Sequence, residues 1–133
     1  MTLDVGMFQP MMEVITQDSI NRYAELSGDF NPLHVDVAFA EKSEFGGTIA
    51  HGPMQLQPCF RSLCEVLGVD ALPAGVTMSI TYRSPARPGD SASFSALSVE
   101  ENEDGAEGFK VHGQSAKADG TVLADIKLVI PSE

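Results

Sequence analysis

The chain has 133 residues, of which 43% are hydrophobic and 20% are charged, values that are typical of one globular domain and exclude a disordered or fibrous chain. Eight Lys and Arg against 19 Asp and Glu give a formal net charge of −11, which disfavours binding to nucleic acids or to anionic membranes. No apolar run approaches the ~20 residues of a membrane span and the N-terminus lacks a signal-peptide pattern, so we expect a cytoplasmic protein with a single domain over residues 1–133.

The first half of the chain is predicted to be mainly helical. A short strand over 11–15 precedes a helix over 17–27, which Thr16 can cap with its hydroxyl and which a glycine can end. The next segment, GDFNPLH at 28–34, is unsuited to a regular helix because proline disfavours the α conformation in the residue before it. A further short helix is predicted over 35–43, and a Gly-rich turn follows it.

A longer helix is predicted after the sequence IAHGP, because apolar side chains recur there at intervals of three and four residues. Pro53 suits the start of this helix, whereas Pro58 is unsuited to its interior, so either the helix kinks or its regular part begins near Gln57. Its two cysteines are expected to be small buried apolar residues rather than a disulfide or a reactive pair. The apolar positions are Leu56, Cys59, Phe60, Leu63, Cys64, Val66 and Leu67.

Beyond Gly75 the apolar period changes to two, which predicts four strands. The first strand begins near Val76, and the other three run near 91–100, 107–118 and 121–130. The acidic segment EENEDG at 100–105 is predicted to be a hairpin loop. An antiparallel sheet curled around one mostly apolar helix satisfies this order of elements, which is an α+β fold. One helix covers only part of such a sheet, so the remaining edge and surface favour a symmetric dimer.

The chemistry-bearing residues concentrate in the turn at 28–34. Asp29 can accept a proton, and His34 can donate or accept one near neutral pH. Asn31 and Pro32 can hold the turn rigid, so the two side chains can keep the fixed separation that acid–base chemistry requires. The residues alone also allow a purely structural Asn-Pro turn at the end of a capped helix.

The run from Tyr23 to Ala40 resembles the signature of the MaoC-like or hydratase-2 family, the (R)-specific enoyl-CoA hydratases of hot-dog fold. Two segments downstream resemble the same family: IAHG at 49–52, at the start of its central helix, and YRSPARPGD at 82–90, its strand–turn segment. The order of helices and strands also matches, so the resemblance spans almost the whole chain. The matching signature positions are Tyr23, Leu26, Ser27, Gly28, Asp29, Asn31, Pro32, Leu33, His34 and Ala40.

The resemblance implies a hot-dog fold and the reversible syn addition of water to a trans-2-enoyl thioester of CoA or acyl carrier protein. It implies that Asp29 and His34 handle the water, that Asn31 orients them and that the Gly52 N–H binds the thioester carbonyl. The chemistry agrees, because addition at C3 drives negative charge onto the thioester oxygen, where an N–H at a helix start can meet it.

One departure from the family lies at Gln57, which stands where some of these hydratases carry Ser. Pro53 also follows Gly52, where many members carry Met or Phe. A longer amide in the pocket would alter the acyl preference or help to bind a polar acyl group. The reaction class is therefore a firmer expectation than a short unbranched substrate such as crotonyl-CoA.

Several other residues are candidates for substrate binding. His51 would either touch the substrate or brace a loop beside the helix. Four of the eight cations, Lys42, Arg61, Arg83 and Arg87, are either solubilising charges or ligands for CoA phosphates. Arg83 and Arg87 are the better candidates because they flank a turn.

The sequence contains no pattern of a metal site or of a nucleotide-binding site. No metal site is expected, because no Cys or His pair has zinc-like spacing, and the absence of a G-x-G-x-x-G or Walker pattern argues against a nucleotide cofactor. Two alternatives stay open on the same scaffold: an acyl-CoA thioesterase and an acyl-thioester-binding subunit of a heteromeric dehydratase.

Overall fold

A computed structural model describes residues 3–101 and 108–131. The α-helices are α1 (Gln17–Ser27), α2 (Pro32–Val35), α3 (Val37–Glu41) and α4 (Gln57–Leu67). The strands are β1 (Met11–Val14), β2 (Thr77–Tyr82), β3 (Ser91–Glu101), β4 (Gly108–Ala116) and β5 (Val122–Pro131). Short 3₁₀ turns cover Val5–Met7 and Gly52–Leu56. No helix in these two described ranges is long and apolar enough to cross a membrane.

The five strands form one antiparallel sheet in the order β1-β3-β4-β5-β2, so β1 and β2 are its edges. The α4 helix packs against the inner face of this sheet, as the α+β prediction requires. The predicted loop at 100–105 falls mostly outside the described residues. The main core comprises Leu3, Phe8, Leu56, Cys59, Leu63, Phe94, Val111, Ala124, Ile126, Leu128 and Ile130.

The predicted bounds of α1 are confirmed, and hydrogen bonds explain both ends. At its start, Ser19 N–H donates to Thr16 Oγ1 at 3.0 Å, and Thr16 N–H donates back to Ser19 Oγ at 2.9 Å. At its end, Gly28 adopts a φ of 78° and donates to the Ala24 carbonyl at 2.8 Å. The helix therefore delivers the chain into the following turn with a defined geometry.

The prediction for the next segment is partly wrong. Instead of a turn and one helix over 35–43, two short helices occupy 32–35 and 37–41. Pro32 is the first residue of α2, where its missing N–H is not needed and its fixed φ suits the helix. Asp36 ends α2 and caps α3 through its carboxylate, which accepts the Phe39 N–H at 3.0 Å.

The central helix is regular only from Gln57, which is the second of the two predicted alternatives. Residues 52–56 form the 3₁₀ turn, and Pro58 lies in the first turn of α4, where a missing N–H costs nothing. Both cysteines are free. Cys59 is fully buried, and this burial raises the pKa of its thiol to about 12, so it is an apolar core residue as expected. Cys64 is half-buried.

Gly113 lies in a tightly packed part of the sheet. A Cβ at this position would lie 2.5 Å from Cε1 of the buried Phe94 ring and 2.8 Å from the Ser95 carbonyl oxygen. We expect Gly113→Ala to lower the free energy of unfolding by about 1–3 kcal/mol, because neither neighbour can move freely. Chemical denaturation measures the change. Gly47→Ala is the control, since its Cβ would meet only Arg87 Nη1 at 3.6 Å. Equal stability of the two variants would contradict the packing argument.

Candidate active site

The turn between α1 and α2 is held by side-chain hydrogen bonds to its own backbone. Asn31 N–H donates to Asp29 Oδ1 at 3.1 Å, which fixes the carboxylate. Asn31 Oδ1 accepts the Leu33 N–H at 3.0 Å and so caps α2, which carries His34. Asn31 therefore links the two residues that the sequence singled out as an acid–base pair.

Asp29 and His34 face each other across this turn. Asp29 Oδ2 lies 3.8 Å from His34 Nε2, which is too long for a direct hydrogen bond and short enough for one water molecule to contact both. His34 Nδ1 lies 2.8 Å from the Ile49 carbonyl oxygen, which can only accept, so Nδ1 carries the hydrogen. The neutral ring therefore presents the lone pair of Nε2 towards Asp29. The side chain of His34 is 13% exposed, whereas that of Asp29 is 53% exposed.

His51 braces the acid–base pair from below. It is 98% buried, and its ring stacks on the His34 ring with a centroid distance of 3.9 Å. The Tyr23 ring also lies close to the His51 ring, with a centroid distance of 4.7 Å. Its Nε2–H donates to the backbone carbonyl of Asp29 at 2.9 Å. These contacts match the loop-bracing role that sequence analysis weighed against substrate contact.

Asp29, His34 and His51 also place ligand atoms within 4.8 Å of one another, a cluster that sequence spacing did not predict. Two observations indicate that this cluster is poorly arranged to bind a tetrahedral metal ion. The His34 and His51 rings are stacked at an interplanar angle of 25°, so their in-plane lone pairs run nearly parallel instead of converging. Backbone carbonyls also engage one nitrogen of each ring. The cluster is therefore better suited to moving protons.

An open cleft of about 330 Å³ begins beside this pair. His34 lines it together with Gly52, at the start of the 3₁₀ turn. Among the residues that the structure describes, no oxygen accepts the Gly52 N–H. The full lining comprises His34, Phe45, Ile49, Ala50, Gly52, Gln55, Tyr82, Arg83, Ser84 and Pro85.

Tyr82, in β2, packs closely against Gly52. A Cβ on Gly52 would lie 2.8 Å from Tyr82 Cζ and 2.9 Å from its hydroxyl oxygen, so only glycine fits beneath the ring. Burial, and secondarily the nearby Tyr23, raises the pKa of Tyr82 above its usual value. The phenol therefore stays protonated at neutral pH. In the sequence, Tyr82 is recognisable only as part of the segment YRSPARPGD, and its position in the cleft was not predicted.

The two arginines that were predicted to bind the substrate lie in different places in the structure. Arg83 lines the cleft, and its Nε donates to Asp125 Oδ2 at 2.7 Å. Arg87 does not line the cleft; it is half-buried, and its backbone N–H donates to Asp90 Oδ2 at 2.8 Å. Of the two, Arg83 is the one positioned to meet a ligand that enters the cleft.

Gln57 does not line the cleft with His34 and Gly52, and its role in substrate binding stays a prediction. Gln57 is exposed and lines a separate groove that includes Tyr23. The glutamine among the residues that line the cleft is Gln55, which no sequence pattern singled out. In a 3₁₀ turn, side chains three residues apart eclipse each other, so position 55 lies beneath Gly52 and position 57 turns away.

Comparison with known proteins gives a consistent result. The sequence profile of the family described as MaoC like domain matches residues 8–119. The 3-hydroxybutyryl-CoA dehydratase of Methylorubrum extorquens is 31% identical over 91 residues, covering 66% of this chain and 55% of that protein. The (R)-specific enoyl-CoA hydratase of Aeromonas caviae is 33% identical over 91 residues, covering 67% of this chain and 66% of that protein. The chain thus spans about half to two-thirds of the length of these relatives.

Solved structures of low sequence identity share the fold. The (R)-hydratase from A. caviae involved in PHA biosynthesis superposes with a TM-score of 0.78 at 21% identity, over 94% of this chain and 93% of that one. The ChsH1–ChsH2 complex of Mycobacterium tuberculosis matches with a TM-score of 0.76 at 15% identity, over 100% of both chains. These likenesses confirm the hot-dog fold.

Proposed function

The chain belongs to the MaoC-like dehydratase family, and on that premise we propose that it is a hydratase or dehydratase that adds water reversibly to trans-2-enoyl thioesters. One observation carries the proposal. The imidazole of His34, which has the Asp29 carboxylate 3.8 Å away, lines a cleft whose wall includes Gly52 with its unpaired N–H. Water addition to an enoyl thioester requires these parts: a base, a proton carrier and a donor for the thioester oxygen.

The proposed reaction begins with a water molecule held between Asp29 and His34. The Asp29 carboxylate accepts one proton from the water as its oxygen forms a bond to C3 of the acyl chain. The electron pair of the C2–C3 double bond moves to C2 and the thioester carbonyl, which produces an enolate. The Gly52 N–H donates a hydrogen bond to the enolate oxygen, and such a donor typically contributes about 10²–10³ in rate.

The second step returns the proton to the substrate. The proton then moves from Asp29 to His34 Nε2, whose lone pair faces it because Nδ1 is committed to the Ile49 carbonyl. Since the two atoms are 3.8 Å apart, the oxygen of the new C3 hydroxyl, which still lies between them, relays the proton by accepting one from Asp29 as it donates one to His34. His34 then protonates C2, which collapses the enolate and restores both residues. Because Asp29 and His34 are neighbours, hydroxyl and hydrogen enter on the same face of the double bond, giving the syn addition. The reverse sequence dehydrates a 3-hydroxyacyl thioester.

Substrate carrier and assembly are part of the same proposal. The thioester is carried by CoA or by acyl carrier protein, with Arg83 at the cleft as the residue suited to a phosphate of the carrier. We place the enzyme in the cytoplasm. We also propose a homodimer or higher homo-oligomer, since β2 is an edge strand with no second partner among the described residues. Size-exclusion chromatography with light scattering tests the dimer.

An ultraviolet assay tests the reaction. Purified protein is mixed with trans-2-enoyl-CoAs of varied length and branching, crotonyl-CoA included, and loss of the conjugated thioester absorbance is followed. We expect water addition, with (R)-3-hydroxyacyl-CoA as the product on chiral chromatography. Release of free thiol without hydration would instead identify a thioesterase. Binding without turnover by this chain would favour a subunit of a heteromeric dehydratase.

A further inference from the structure

Gln55 combines two properties that are hard to reconcile in the free protein. It is one of the residues that line the cleft with Gly52, yet it is only 3% exposed. Its Oε1 is buried and accepts no hydrogen bond. The other two such atoms among the described residues, His51 Nδ1 and Ser115 Oγ, belong to residues that do not line this cleft.

A buried amide oxygen without a partner lowers stability, and an apolar side chain of the same size would avoid that cost. The amide is therefore best explained by a partner that arrives with the ligand. An oxygen acceptor requires a donor, and the donors that an acyl chain can carry are a hydroxyl or an amide N–H.

The position of Gln55 shows which part of a ligand would meet it. In a 3₁₀ turn the rise over three residues is about 6 Å, so Gln55 lies one turn from the Gly52 N–H on the same side. The CoA or carrier end of a thioester is too large for a 330 Å³ cleft and must leave by its open side. The acyl chain then runs inward, and Gln55 meets it a few atoms beyond the carbonyl.

We propose that Gln55 is a specificity residue that selects trans-2-enoyl thioesters with a hydroxyl on the acyl chain, a few carbons beyond the double bond. This inference rests on the proposed function, because Gly52 must receive the thioester carbonyl. It transfers to Gln55 the polar-acyl role that the sequence suggested for Gln57. Because Oε1 is covered in the free protein, the amide turns towards the cleft on substrate binding, and the substrate hydroxyl then donates to Oε1 and satisfies this acceptor.

Matched substrate pairs test the proposal. Each pair has equal numbers of acyl heavy atoms: 4-hydroxybut-2-enoyl with pent-2-enoyl-CoA, 5-hydroxypent-2-enoyl with hex-2-enoyl-CoA, and 6-hydroxyhex-2-enoyl with hept-2-enoyl-CoA. We expect the wild type to prefer the hydroxylated member of at least one pair by about ten-fold or more in kcat/KM. Gln55→Met keeps the length of the side chain and should reduce that preference to within about two-fold. Gln57→Met, outside the cleft, should leave the ratio unchanged.

Two outcomes overturn the proposal: no pair shows a preference, or the preference survives in Gln55→Met. If Gln55 had only a structural role, Gln55→Met would lower the melting temperature and leave the ratio of the two kcat/KM values within each substrate pair unchanged. We expect the melting temperature to stay the same or rise, because the variant removes an unpaired acceptor. If no substrate turns over, the proposed function fails, and calorimetry with 5-hydroxypentanoyl-CoA and hexanoyl-CoA still decides the inference. Equal affinities would then reject it.

Discussion

Asp29→Asn should reduce kcat/KM for enoyl-CoA hydration by about 10²–10⁴ while leaving the fold unchanged. Asparagine has the shape of aspartate, and its side-chain oxygen can still accept the Asn31 N–H that holds the turn. It cannot take a proton from water, so the first proposed step loses its base. The side chain is about half exposed, so no core contact is lost. The ultraviolet assay measures the rate, and circular dichroism checks the fold.

Asp18→Asn is the matched control for this substitution. Asp18 is also a helix-proximal carboxylate, but it is exposed and pairs only with Arg22 at 3.3 Å on the surface of α1. Such an ion pair contributes little to stability, so kcat/KM should stay within about two-fold. An Asp29→Asn enzyme with near wild-type turnover would remove Asp29 from the mechanism and require a different base.

Gly52→Ala should lower kcat by about 10²–10³, because the added methyl displaces the N–H from the position of the thioester oxygen. The methyl would lie 2.8 Å from Tyr82 Cζ, so either the ring or the start of the 3₁₀ turn must shift. Glycine is thus required here for space, next to the residue whose N–H is proposed to act. Steady-state kinetics measures kcat and KM separately.

A double-variant cycle isolates the steric cause. In a Tyr82→Ala background the ring is gone, so adding Gly52→Ala should cost much less than it does in the wild type. Tyr82→Ala alone sets the baseline, because Tyr82 lines the cleft and its removal changes activity in its own right. The steric account would be wrong if Gly52→Ala caused the same fold-loss in both backgrounds.

Short-range chemistry explains which features were predictable from the residues. The bounds of α1 follow from the hydroxyl of Thr16 and the left-handed conformation of Gly28, which are local properties. The strands follow from an apolar period of two, and they appear within a few residues of the predicted bounds where the structure describes them. The pairing of Asp29 with His34 likewise follows from a five-residue turn whose Asn and Pro leave little conformational freedom.

Features that depend on contacts between distant parts of the chain were not predictable in this way. The stack of His51 on His34 joins residues 17 positions apart, and Tyr82 approaches Gly52 from an edge strand 30 positions away. Neither contact leaves a periodic or spacing signal in the sequence. The pairing of Arg83 with Asp125 is of the same kind, because it depends on the register of β2 against β5.

The fold class and the proximity of Asp29 and His34 were predictable from the sequence, because capping, turn chemistry and hydrophobic period act over a few residues. The family was predictable from the motifs that the chain shares with it. The tertiary structure was needed to assign the amide in the cleft to Gln55 instead of Gln57. That assignment depends on which face of residues 52–57 is turned towards the cleft, and tertiary packing rather than local propensity determines this.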